Sequence, residues 1–227
     1  PILLPNIFNH PFTYESKLKL KIGEFVEVPF GKSKISGVVW SEFEKDVKKN
    51  FKIKRIVKKL KIPKLKKTTI DFLNWFSEYN IVPKGMVLKL LLLSGKPVEK
   101  FNMDFFEEYK VKIKKNLFVL TDEQQNSLNE IEKNNSKFNV HVLQGTTGSG
   151  KTIVYFQALK KKIEEGFQVL VMLPEIGLTN QFEKKFIEFF NFKPAIWHSG
   201  VSKKKREIIW SGISNSEIKV VIGARSS

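Results

Sequence analysis

A chain of 227 residues, 41% hydrophobic and 12% aromatic, carries enough apolar side chain for two packed cores, which excludes an intrinsically disordered polymer. The absence of cysteine excludes disulfides and thiolate metal sites within these residues, and His10, His141 and His198 stand at no zinc-ligand spacing. The formal net charge of +17 is uneven: residues 1 to 93 hold 19 Lys+Arg against 8 Asp+Glu, a net of +11, whereas residues 121 to 227 hold 15 against 11, a net of +4. Such a surplus attracts phosphate backbones through counterion release, although a solvated lysine-rich surface has the same composition. No basic leader opens the chain at Pro1–Pro5, and no run approaches the ~20 apolar residues of a membrane span, so the expectation is a cytoplasmic protein with no membrane partner.

Residues 1 to 60 read as a small β domain. Phe25–Phe30 and Ile35–Trp40 are strand-like runs joined by Gly31-Lys32-Ser33-Lys34, and Phe51–Val57 is a third run that largely alternates. From Thr68 to Tyr79, Ile70, Phe72, Leu73, Trp75, Phe76 and Tyr79 recur at helical spacing, with Thr68 or Thr69 as cap; the stripe is predicted to face the core. A second helix begins at Pro83 and carries Met86, Val87, Leu90 and Leu91. Residues 94 to 120 read as a linker plus an edge element at Lys110–Lys115.

From Thr121 the pattern becomes regular α/β. The expected elements are a helix over 121–132, a strand over 138–143, a helix over 153–165 and a buried strand over 168–173. They continue with a helix over 179–190, a strand over 194–198, a helix over 202–210 and a strand over 217–222. Strands alternating with helices imply a mostly parallel sheet. The expected fold is therefore an α+β unit, β-rich with two helices, over residues 1–93, then a linker over 94–120, then an α/β P-loop parallel-sheet domain over 121–227.

The most informative stretch is Gly145-Thr146-Thr147-Gly148-Ser149-Gly150-Lys151-Thr152, which fits G-x-x-x-x-G-K-[ST] at every fixed position, between a predicted strand and a predicted helix. Glycines let backbone N–H groups converge on phosphate oxygens, and the helix N-terminus adds partial positive charge. Lys151 is the candidate for the β- and γ-phosphates and Thr152 for Mg²⁺. Gln124, 27 residues before Lys151, has two readings. It is either the partner of Thr121 in a capping box or a helicase glutamine motif that hydrogen-bonds adenine.

Together with that loop, the series Pro174-Glu175-Ile176-Gly177-Leu178-Thr179, His198-Ser199-Gly200 and Gly223-Ala224-Arg225-Ser226 closely resembles the PriA family of bacterial primosomal helicases. The likeness is dense over residues 121–227. It implies a RecA-like motor lobe that binds ATP and Mg²⁺. Pro174, Glu175 and Ile176 correspond to the family's motif Ia, and Gly223, Arg225 and Ser226 to motif Ib, which track single-stranded DNA. The plain alternatives are a helix N-terminal charge for Glu175 and a surface cation for Arg225.

The first part resembles the family's 3′-DNA-binding domain more loosely, through Phe12, Thr13 and Tyr14, the hairpin residues Gly31 and Lys32, and Lys54. Phe12 serves either to stack on a terminal base or to pack in the core, and Thr13 replaces the family's acidic residue. Only 27 residues separate Leu93 from Thr121, so the family's winged-helix domain is expected to be absent or vestigial. The resemblance implies a 3′-to-5′ helicase that recognises stalled forks and starts primosome assembly. Its partners would be branched and single-stranded DNA, single-strand DNA-binding protein and replicative-helicase loading proteins, in the cytoplasm near the nucleoid. The Asp-Glu-Glu-His motif, second lobe and zinc module are expected beyond Ser227, which would leave these residues inactive alone. A restriction-type translocase, or a DNA-binding module with an inactive ATPase fold, is the alternative.

Overall fold

The computed structural model describes residues 1–41, 53–93, 98–99, 103–113, 119–133, 138–175 and 179–224. They fall into two compact units, Pro1–Asn102 and Met103–Ser227.

In the first unit the strands β1 (Ile2–Leu3), β2 (Phe25–Phe30), β3 (Ser33–Val39) and β4 (Lys58–Lys59) form an antiparallel sheet in the order β1-β3-β2-β4. The β2–β3 pairing runs to Phe30 opposite Ser33, so the turn is only Gly31-Lys32, shorter than the predicted connection. Gly31 has φ 59° at the first central position, where a type II′ turn calls for glycine. Within the third predicted strand, residues 51 and 52 lie outside the described residues. Arg55 forms an isolated bridge to Glu15, and pairing with β2 begins at Lys58 instead. The backbone of Glu15 has captured 54–56 from the other side, donating to Lys54 O and accepting from Ile56 N–H. Ile2, Leu4, Val26, Val28 and Val39 form the buried core of the sheet.

Helix α1 (Lys67–Asn80) starts after Lys66, which makes no side-chain cap, so the predicted threonine caps fall inside the first turn. It ends at Ile81 in the left-handed region, and Ser77 Oγ donates to Val82 O at 2.6 Å to fix the entry to α2 (Lys84–Leu91). The buried face of α1 is Ile70, Leu73 and Ser77. The aromatic stripe predicted for the core points the other way: Phe72, Trp75 and Tyr79 are 53%, 53% and 74% exposed. Trp75 and Tyr79 stack on each other at 5.2 Å. The physical reason is competition between two faces of one helix. The side with the small Ser77 packs inward, and the rings cover one another instead.

The second unit opens with a 3₁₀ helix (Met103–Tyr109) whose Phe106 and Tyr109 are buried, so this part of the predicted linker is packed structure. Residues 110–113, read as the start of an edge strand, are not strand. There follow α3 (Asp122–Lys133), α4 (Lys151–Glu164), β5 (Val169–Leu173), α5 (Thr179–Phe190), β6 (Ala195–Trp197), α6 (Lys203–Ser214) and β7 (Val220–Ala224). The three strands form a parallel sheet in the order β5-β7-β6. Phe156 of α4 lies among Phe182, Phe186, Phe189 and Phe190 of α5 at ring distances of 5.1 to 5.9 Å, which locks the two helices together. Val169, Val171 and Leu173 join this cluster. Leu170 and Met172 on the opposite face of β5 are 65% and 62% exposed, so the strand is not buried on both faces as predicted. Residues 138–143 do not form the predicted strand, and Phe138, Val140 and Val142 are exposed. Alternation of polar and apolar residues sets which side chains share a face, and does not by itself supply a neighbouring strand to pair with.

Candidate functional site

At the start of α3, Thr121 N–H donates to Gln124 Oε1 at 3.1 Å while Gln124 N–H donates to Thr121 Oγ1 at 3.3 Å, a reciprocal capping box. The remaining end of the same side chain, Gln124 Nε2, donates to Ser149 O at 3.2 Å. Gln124 thus clasps the glycine loop to the helix that precedes it. The C-terminal part of α3 is held to α4 by Glu132 and Lys161 at 2.7 Å.

In the loop, Gly148 and Gly150 take φ of 84° and 80°, values that favour glycine, and α4 starts directly at Lys151. Lys151 Nζ donates to Gly145 O at 2.6 Å and Thr146 O at 2.7 Å, so the ammonium sits against the loop that would cradle a phosphate. Thr152 is half-buried, with the Tyr155 hydroxyl 3.3 Å from its Oγ1. A cavity of about 660 Å³ opens here, lined by Thr147, Gly148, Gly150, Lys151 and Thr152, with Lys185 and Glu188 of α5 across from them. The last two carried no signal in the sequence, being polar positions of an ordinary amphipathic helix.

The carboxyl ends of the parallel strands form a second cluster. Leu173 pairs with Ala224 and Trp197 with Gly223, so Pro174, Glu175 and His198 follow their strands at one edge of the sheet. Pro174 and Glu175 are exposed. His198 Nδ1 accepts from Gly200 N–H at 3.1 Å, and Ser202 then caps α6 by accepting from Lys205 N–H. Ile176, Arg225 and Ser226 lie outside the described residues.

In the first unit, Phe12 exchanges two backbone hydrogen bonds of 2.8 Å with Ile2, and its ring meets Phe30 edge-on at 5.5 Å. It is half-buried. Thr13 is exposed. The Tyr14 hydroxyl donates to Pro29 O at 3.1 Å, and burial raises its pKa. Lys54 is brought alongside by the Glu15 pairing, reinforced by two Arg55–Glu15 bonds of 2.8 and 3.3 Å. The Arg55 guanidinium holds the Glu15 carboxyl below its ordinary range. Gly31 and Lys32 are exposed at the hairpin tip next to Phe30. Phe8 and His10, which the sequence did not single out, pack their rings on Phe12.

Residues 1–93 match the family model of the PriA 3′DNA-binding domain (3′BD), and residues 121–227 match that of DEAD/DEAH box helicases. The replication restart protein PriA of Rickettsia conorii is 36% identical over 231 residues, which takes in 100% of this chain. The chain belongs to the PriA family. The PriA of Bacillus subtilis is 33% identical over 144 residues, 62% of this chain and 18% of the relative. That of Helicobacter pylori is 28% identical over 217 residues, 96% of this chain and 32% of the relative. The chain spans 34% of the length of the Rickettsia PriA protein. Within the family's frame, the antiparallel unit coincides with the 3′BD match and the parallel-sheet unit with the helicase match. No helix among the described residues is long and apolar enough to cross a membrane.

Proposed function

We propose that this chain supplies fork DNA binding and the phosphate-binding part of the ATP site of an ATP-dependent 3′-to-5′ DNA helicase. That helicase recognises stalled or repaired replication forks and initiates primosome assembly. The observation that carries the reading is the glycine loop, clasped by Gln124 and filled by the Lys151 ammonium, in a chain whose other unit matches a 3′DNA-binding domain. Residues 121–227, the greater part of the second unit, are the first part of a RecA-like motor lobe. Residues 1–93 are the DNA-end module. Residues 94–120, of which 103–109 pack as the 3₁₀ helix of the second unit, join the two matched domains in place of a winged helix.

The residues present fit a nucleotide phosphate. A Cβ at Gly148 would meet no atom within 4 Å, so the loop is open at its apex, and Lys151 has a third N–H beyond the two held by carbonyls. Lys151 exchanges carbonyl oxygens for β- and γ-phosphate oxygens, which are stronger acceptors because they carry charge. Backbone N–H groups of residues 147–152 and the α4 dipole hold the rest of the phosphate chain. The described residues contain no cluster of three or more acidic or histidine side chains suited to a metal. Thr152 would help to hold Mg²⁺ brought in with ATP, and the ion would supply charge neutralisation to the phosphates. Gln124 orients the loop and reads adenine through the second N–H of its amide.

In the first unit Phe12 stacks on a terminal base, Lys32 and Lys54 meet phosphates, and Gly31 admits the backbone closely. At the sheet edge Pro174, Glu175, Ile176, Arg225 and Ser226 follow the single strand. Single-strand DNA-binding protein and helicase-loading proteins are partners of the whole protein, which works in the cytoplasm at the nucleoid. Residues 1–227 contain no Asp-Glu-Glu-His motif, so by themselves they bind nucleotide weakly and turn it over negligibly. The test is fluorescence anisotropy on forks with and without a 3′ end at the branch, with ATP-analogue binding measured in parallel. Support is a preference for the 3′-ended fork and nucleotide binding lost in Lys151→Ala. Equal affinity for both forks overturns the end-recognition reading, and robust DNA-stimulated hydrolysis abolished by Lys151→Ala overturns the claim of inactivity.

A further inference from the structure

The segment from Asn6 to Phe12 is a loop with a fixed backbone and exposed rings. Asn6 Oδ1 accepts from Phe8 N–H at 3.0 Å, Phe8 O accepts from Gly85 N–H at 3.1 Å, and Asn9 Oδ1 accepts from Lys84 N–H at 3.0 Å. A Cβ at Gly85 would lie 2.5 Å from Asn6 O and 2.6 Å from Leu4 O, so glycine lets the loop close onto the first turn of α2. Clasped in this way, the loop nevertheless leaves Phe8 39% exposed and His10 exposed.

The rings form a chain. Phe8 and His10 are 5.7 Å apart, each lies against Phe12 at 5.4 and 5.1 Å, and Phe12 leads on to Phe30 at 5.5 Å, next to the hairpin tip. The core below is already occupied by Ile2, Leu4, Val26, Val28 and Val39, so Phe8 and His10 add aromatic surface above a filled core. The surroundings favour an anion. Residues 1–14 contain no acidic side chain, the first one, Glu15, is engaged by Arg55, and Lys32 and Lys54 are exposed in the same unit.

We propose that Phe8 and His10 form, with Phe12, a stacking platform for the last two bases of a single-stranded nucleic-acid 3′ end, so that the site engages a dinucleotide rather than one base. The proposal rests on the reading of this unit as a DNA-end module. Aromatic faces on a rigid loop beside lysines are the combination that holds unpaired bases with little sequence preference. Phe12 takes the terminal base, and the Phe8–His10 pair takes its neighbour.

The test uses the 227-residue chain and a fluorescent fork whose 3′ end at the branch is intact, abasic at the last nucleotide, or abasic at the one before. Phe8→Leu combined with His10→Ala keeps the apolar volume of Phe8 but removes both rings. This pair is expected to weaken binding of the intact fork about tenfold. The abasic penultimate nucleotide should weaken the unchanged protein similarly and the double variant no further. Wild-type affinity in the double variant, or two losses that multiply, overturns the platform. Phe12→Ala separates the two levels. If it weakens binding while the double variant does not, the platform alone fails; if neither it nor removal of the 3′ strand changes affinity, the end-binding reading fails and takes the platform with it. Should the double variant lose its fold by circular dichroism, the single substitution of the exposed His10 by Ala decides the matter: a loss of severalfold confined to forks with an intact penultimate base supports the platform, and no loss overturns it.

Discussion

Gly150 is held by two independent constraints, and substituting it separates them. Its φ of 80° costs an L-residue about 1–2 kcal/mol. A Cβ there would also lie 2.3 Å from Gln124 Nε2, the end of a flexible side chain, which must swing away. That movement breaks the bond to Ser149 O and the one from Thr121 N–H, each worth about 0.5–1.5 kcal/mol net. Gly150→Ala should therefore destabilise the second unit by about 2–5 kcal/mol. Gly148 is the internal control, with φ 84° and nothing within 4 Å of a Cβ, so Gly148→Ala should cost only about 1–2 kcal/mol. In a Gln124→Ala background the Gly150→Ala cost should fall by about 1–3 kcal/mol, because the clash is gone and the bonds are already lost. Equilibrium urea denaturation followed by far-ultraviolet circular dichroism measures all four proteins. Equal costs at the two glycines, or additivity within about 0.5 kcal/mol in the double variant, would refute the clasp.

Phe156→Ala removes a ring, 2% exposed, that touches four phenylalanines, and should cost about 3–5 kcal/mol, read as a lowered urea midpoint for the second unit alone. Ser77→Ala leaves Val82 O without its 2.6 Å donor and should cost about 1–3 kcal/mol in the first unit by thermal denaturation. The Glu15 carboxyl, lowered from its ordinary value of 4.5 by Arg55, stabilises the folded chain fully above about pH 4.5 and loses that contribution as pH falls through the folded-state value. The difference in melting temperature between the unchanged chain and Glu15→Gln should accordingly shrink from pH 5 towards about pH 3, and a constant difference would contradict the pairing.

The elements that punctuate themselves were legible in the sequence. Phe25–Phe30 is a strand with the predicted bounds, and the predicted glycine at its end makes the turn. The capping box at Thr121 and Gln124 was readable because its atoms lie within one helical turn. What Gln124 does with its second polar atom was not, since Ser149 is 25 residues away in sequence and the choice of partner is tertiary. The bounds of α5 were legible, and its Phe182, Phe186 and Phe190 face the core, whereas the inward face of α1 was misplaced. In α5 the aromatic face is the only apolar one; in α1 Ile70 and Leu73 lie opposite the rings and won the core. The run 138–143 shows the same limit for strands, because its alternation of polar and apolar residues specifies a face and not a neighbour. The aromatic loop at Phe8 and His10 was invisible because its rings meet through the clasp on α2, more than 70 residues away.

The open side of β5 bears on how the protein behaves in solution. Among the described residues its backbone is paired only with β7, and Leu170 and Met172 present apolar surface beside an edge that another chain can extend. A formal charge of +17 keeps such edges apart while the range of repulsion is about 10 Å in 0.1 M salt, and that range shrinks to about 3 Å at 1 M. Raising the salt to weaken DNA contacts therefore removes the molecule's own protection against sticking to itself. Light scattering should show association growing with ionic strength, and Met172→Lys should suppress it.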